Sequence, residues 1–130
     1  MMNSFEDVVK AQTEFESLFY DFNRLHEQEY LDHSIDYLTT SLAREAFELK
    51  DEINWKQHGR TKPVNMDKAR EEAIDCLTFS LDTCILLGMD ASDIIEWYFL
   101  KNRINWDRQV EQGRVTKEQA EEIKSRYMEV

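Results

Sequence analysis

The sequence predicts an all-α protein, and three observations carry that prediction. Only three Gly and one Pro occur in 130 residues. No stretch alternates β-branched and polar residues in the way a half-buried strand requires. Cap residues and glycines punctuate the chain at intervals of helical length. A hydrophobic fraction of 42% is enough for a core despite 33% charged residues. At this length the chain reads as one domain, residues 1–130, with four core helices and a short C-terminal helix.

Ser4 with Asp7 forms a cap for a first helix expected to run to about Gln28 or Tyr30. Its apolar side comprises Phe5, Val8, Val9, Gln12, Phe15, Phe19 and Phe22. Asp32-His33-Ser34 is expected to break it, with Ser34 capping a second helix that ends near His58 before Gly59. The loop from Gly59 to Asn65 carries Arg60 and Lys62 and is basic within an acidic chain. A third helix is expected from about Asp67 to Gly88. Asp90 with Asp93 opens a fourth, reaching about Gln112 before Gly113. Thr116 with Gln119 forms a capping box for the last helix.

A net charge of −11 leaves no basic stripe to neutralise a phosphate backbone, which argues against a nucleic-acid partner. A nucleotide is still compatible, since metal can accompany its phosphates. Cys76 and Cys84 lie eight residues apart on one helix, too far to pair, and read as small core residues in a reducing cytoplasm. The first residues lack the basic segment of a secretion signal. No apolar stretch is long enough to span a bilayer, so no membrane partner is expected. His26, His33 and His58 form no metal-ligand pattern and read as surface or turn residues.

Residues 73–87 are apolar nearly all round, and such a helix must be covered on every side. Three other core helices cover only part of it. The sequence therefore predicts a homo-oligomer, a dimer or tetramer, with the third helix near the symmetry axis and Leu86 among its outward positions.

The functional signal is a pair of carboxylate couplets, Glu45-x-x-Glu48 and Glu72-x-x-Asp75. Residues three apart share a helix face, so each couplet aims two carboxylates at one place. With 27 Asp and Glu in the chain such pairs also arise by chance on solvated faces. Their neighbours set these apart, because Glu72 and Asp75 lead into the most apolar run, Cys76 to Leu87. Four carboxylates against an apolar interior are costly to keep ionised without cations. Two such helices face to face would form a hard-oxygen site suited to Mg²⁺, or Mn²⁺. Asp82, two turns beyond Asp75 on the same face, is a buried carboxylate that needs a partner: Lys101, a backbone donor, or a bound nucleotide base.

The order Glu45-x-x-Glu48-Leu49, Trp55-Lys56, Glu72-x-x-Asp75 and Tyr98-x-x-Lys101-Asn102-x-x-Asn105-x-x-Arg108-Gln109 resembles the all-α nucleoside triphosphate pyrophosphohydrolases. That superfamily includes the MazG-type enzymes and the dimeric dUTPases. The resemblance spans roughly residues 38–112, and the Trp-Lys and the Lys-Asn-x-x-Asn-x-x-Arg-Gln elements are closer to the dimeric dUTPase branch. It implies cleavage of a (deoxy)nucleoside triphosphate to the monophosphate and pyrophosphate. Glu45, Glu48, Glu72 and Asp75 would hold the metal, and Glu45 or Glu48 would act as general base. On the fourth helix, Lys101, Asn105 and Arg108 share one face, with Tyr98 and Asn102 at its edges. Lys101 and Arg108 would hold the β- and γ-phosphates, and the two asparagines the sugar, phosphate or metal waters. Lys56, Arg60 and Lys62 are further candidates for phosphate contact. No Gly-x-x-x-x-Gly-Lys loop is present, so side chains and metal must cradle the phosphates.

Two departures from the dUTPase pattern bear on the base. Gln57-His58 follows Trp55-Lys56 where an aromatic usually recurs. The Gln-x-x-Leu-Asn element that reads uracil finds its nearest match in Gln12 to Glu16, with Glu in place of Asn. dUTP is the leading expectation, and a base-reading element altered this much leaves room for another nucleotide, including a purine such as dGTP, or for several. The reading from another class is a non-catalytic acidic helical oligomer that binds nucleotide or a protein partner.

Overall fold

The computed structural model describes residues 2–53 and 63–127. Among the described residues it contains five α-helices and no strand. The helices fall into two compact units, residues 1–90 and 91–130.

Helix α1 spans Phe5–Glu16. Its capping box is in place: the Asp7 amide donates to Ser4 Oγ at 3.2 Å, and the Ser4 amide donates to Asp7 Oδ2 at 2.9 Å. The helix stops well short of the expected Gln28. The chain turns at residues 17–27, where Asp21 caps a short 3₁₀ turn, Phe22–Arg24, by accepting from the Asn23 amide at 3.0 Å. Arg24 then stacks on Tyr30, 4.4 Å from the ring centre, and bonds Glu27 at 3.1 Å.

Helix α2 spans Gln28–Glu52 and runs straight through the expected break at Asp32-His33-Ser34. The Ser34 hydroxyl donates to the Tyr30 carbonyl at 2.8 Å, so its polar atom is satisfied inside the helix, where the side chain is buried. The expected end near His58 and the Gly59 stop lie outside the described residues.

Helix α3, Met66–Leu86, is capped by Asn65, which accepts from the Lys68 amide at 3.1 Å. It closes on Gly88 at φ +85°, with the Met89 amide reaching back to Cys84 and the Gly88 amide to Ile85. That left-handed stop is why glycine stands there. In this first unit α2 packs along α3, and α1 lies on α3. Val9, Leu38, Leu81 and Ile85 are buried.

Two expectations about cover are corrected. Leu86 is not outward; it is 2% exposed. The outward side of α3 is instead marked by Ile74, 59% exposed, and Leu77, 52% exposed. On α1, Val9 is buried, but Phe5, Val8 and Phe15, and Phe19 just past its end, stand in solvent. The reason is that the inward side of α1 carries Gln12 and Glu16 rather than the full aromatic row.

The second unit comprises α4, Ala91–Glu111, and α5, Lys117–Tyr127. Gly113 at φ +74° ends α4, and the Thr116–Gln119 box opens α5 with bonds of 2.9 and 3.1 Å. Ala120 is buried, and Lys124 joins α5 to α4 through Asp107 at 2.7 Å. Cys76 and Cys84 are both free thiols, half-buried rather than fully enclosed. No described helix is long and apolar enough to cross a membrane.

Candidate metal centre

Each couplet stays within one helix, so the i,i+3 spacing holds Glu45 and Glu48 on one side of α2, and Glu72 and Asp75 on one side of α3. Packing of α2 along α3 then brings the two sides together. One carboxylate oxygen from each of Glu45, Glu72 and Asp75 lies within 4.8 Å of the others. Octahedral Mg²⁺, with bonds of about 2.1 Å, places its ligands roughly 3 to 4.2 Å apart. Closing these three oxygens around such an ion requires shifts of under about an ångström at side-chain ends. Glu48 stands just outside the trio on the exposed side of α2, with its carboxyl interacting with both Glu45 and Glu72.

The electrostatics show how poorly the cluster is compensated. Burial, then hydrogen bonding to Glu72 and Glu48 and the charges of Glu48 and Asp75, push the Glu45 carboxyl up to about 7. Glu72 moves the other way: the hydrogen bond from Glu45, with Lys68, holds it below the ordinary glutamate range. Lys68 reaches one oxygen of Glu72 at 3.3 Å. Glu72 is only 6% exposed, and its other oxygen, Oε2, is closed to solvent without a hydrogen-bond partner. Glu45 Oε2 is in the same condition. Orphaned buried carboxylate oxygens cost on the order of 1–3 kcal/mol each, more when charged. A divalent cation is the partner that would satisfy several at once. Cys76 adjoins the cluster, and burial, then the charges of Glu45, Asp75 and Glu72, raise its thiol. The donor set is all oxygen, which suits Mg²⁺ or Mn²⁺ over zinc.

Asp82 is 2% exposed, and its partner is one the sequence did not suggest. Gln12 Nε2 donates to Asp82 Oδ1 at 2.7 Å. Glu16, one turn beyond Gln12 on α1, is 5% exposed, with Oε2 orphaned. Burial, then the charge of Asp82, lift Glu16 to about 7. The only signal in the sequence was the 12, 16 spacing beside Val9.

Tyr98, Lys101, Asn102, Asn105 and Arg108 all lie on α4, in the second unit. Lys101, Asn105 and Arg108 are exposed, and Asn102 is half-buried. Tyr98 packs edge-on against Phe99 at 5.3 Å between ring centres. Lys56, with Trp55, Arg60 and Lys62, lies outside the described residues. Comparisons with family models, curated proteins and solved structures find no match to this chain.

Proposed function

We propose that this chain is a metal-dependent nucleoside triphosphate pyrophosphohydrolase of the all-α, MazG-like and dUTPase-like type, releasing a nucleoside monophosphate and pyrophosphate. The observation that carries the reading is the convergence of Glu45, Glu72 and Asp75 from two helices, with buried oxygens that no protein donor satisfies.

In this reading Glu45, Glu48, Glu72 and Asp75 would hold the ion. Bound Mg²⁺ supplies charge neutralisation at the phosphates and acidification of water. Glu45 or Glu48 takes the proton of the attacking water. Lys101 and Arg108 donate to the departing β- and γ-phosphates, which they suit as cations on one face of α4. Asn102 and Asn105 bond the sugar or phosphate, Tyr98 borders them, and Lys56 adds a further phosphate contact. The exposed Ile74 and Leu77 of α3 support assembly as a homodimer or homotetramer, in which a second copy covers them.

A panel of NTPs and dNTPs with Mg²⁺ or Mn²⁺, read by pyrophosphate release, tests the proposal. Release that vanishes without metal is expected. Neither turnover nor thermal stabilisation by metal would favour a non-catalytic acidic oligomer instead.

A further inference from the structure

Between the turn at residues 17–27 and the start of α2 lies a cleft of about 460 Å³, and none of the metal-centre carboxylates lines it. Tyr30, Ser34 and Tyr37 fall at steps of four and three on α2, so they share the helix side that forms one wall. Tyr30 is fixed against the turn, its hydroxyl accepting from the Asp21 amide at 2.8 Å. Phe19 and Tyr20, in the turn itself, bring two further rings. Phe19 and Tyr37 are each 65% exposed, and Tyr20 and Tyr30 are half-buried. Four rings around an open hollow do little to fill a core. They offer π faces, whose quadrupole is negative at the centre.

The charges in the cleft point the same way. Glu27 and Glu29 line it together with Arg24. The Arg24 guanidinium lies over the Tyr30 ring, 4.4 Å from its centre, and meets both oxygens of Glu27 at 3.1 and 3.3 Å. The chain thus already holds one organic cation here, between a ring face and a carboxylate. Arg24 and Glu27 neutralise each other. Glu29 makes no ion pair among the described residues, which leaves one uncompensated acid in the lining. The net charge of −11 adds a long-range attraction for cations and repels anions.

We infer that this cleft binds a small organic cation of the alkylammonium class, its head against the rings of Phe19, Tyr20 and Tyr37 with Glu29 as counter-charge. The cleft is concave and near the lower end of small-molecule pockets in volume, which suits a free amine. An anion would meet Glu27 and Glu29 on entry. An uncharged apolar ligand would gain nothing from Glu29. The inference goes beyond the nucleotide reading and does not depend on it.

The test is isothermal titration of the intact, metal-free chain at pH 8, above the ordinary histidine range, because His33 also lines the cleft. The probes are choline, the uncharged alcohol in which carbon replaces the choline nitrogen, and deoxyuridine. We expect choline to bind at one site and the alcohol at least tenfold more weakly, since the two differ in charge and little in shape. Tyr37→Leu and Glu29→Gln, both at exposed positions, should each weaken choline about fivefold or more, with melting temperature and helicity unchanged. Arg24→Gln frees the Tyr30 face and Glu27 and should tighten choline about fivefold. No choline binding up to about 10 mM would overturn the inference. So would equal affinity for choline and the alcohol, binding that survives both Tyr37→Leu and Glu29→Gln, or weaker binding in Arg24→Gln. Binding of deoxyuridine in place of choline would make the cleft a stacking site for uncharged rings and overturn it too. With neither phosphate nor metal present, none of these results depends on hydrolysis.

Discussion

Replacing Glu16 by Gln isolates the energetics of the buried acid pair. In the folded chain burial and Asp82 move this carboxyl from 4.5 to about 7. At 1.36 kcal/mol per pH unit, the difference corresponds to about 3 kcal/mol. The folded-state value is raised, so the fold binds the proton more tightly than the unfolded chain does. The associated stability is whole below pH 4.5 and is lost as pH rises through about 7. Glutamine cannot titrate and lacks this loss. Its amide also carries two donors in place of an orphaned oxygen. Repacking adds an offset of about 1 kcal/mol of either sign, independent of pH. The quantity to measure is therefore the variant-minus-wild-type difference in unfolding free energy, from urea titrations followed by circular dichroism. Between about pH 4.5 and pH 8 that difference should move in favour of Glu16→Gln by about 2–3 kcal/mol. A difference constant to within about 0.5 kcal/mol over that range would show that Glu16 is not held protonated by the fold, and the burial argument would fail.

Asp75→Asn or Glu48→Gln should abolish turnover and metal stabilisation while leaving the chain folded, because each removes one of several clustered like charges. Melting with and without Mg²⁺ checks this, wild type gaining about 2.7 kcal/mol at a hundredfold excess over Kd and the variants little. Ile74→Glu or Leu77→Glu places charge on exposed apolar positions of α3 and should shift the assembly towards monomer in sedimentation velocity, with helicity retained; an unchanged sedimentation coefficient would place the interface elsewhere. Lys101→Ala and Arg108→Ala should each lower kcat/KM by on the order of 10²-fold, roughly 2–3 kcal/mol, because they act on phosphates absent from the product. Monophosphate affinity should then change little in calorimetry, and equal loss for both ligands would move these residues off the phosphates.

What the sequence determined by itself is what depends on neighbours in the chain. Cap chemistry is local: Ser4–Asp7 and Thr116–Gln119 bond within three residues, and Gly88 and Gly113 supply left-handed stops, so those boundaries were readable. The i,i+3 couplets likewise put Glu45 with Glu48, and Glu72 with Asp75, on single faces before any packing. The tertiary structure decided the rest. Ser34 had the composition of a cap, but a bond to the Tyr30 carbonyl keeps it inside α2, while Asp21 takes over the break. Which carboxylates lose water depends on the register of α2 against α3, so that Glu72 is buried and Glu48 is left at the edge. The Gln12–Asp82 bond joins residues 70 apart, and the burial of Glu16 follows from α1 lying on α3. Contacts at such separation leave no periodic trace in the chain, because what brings those side chains together is the burial of apolar surface elsewhere along both helices.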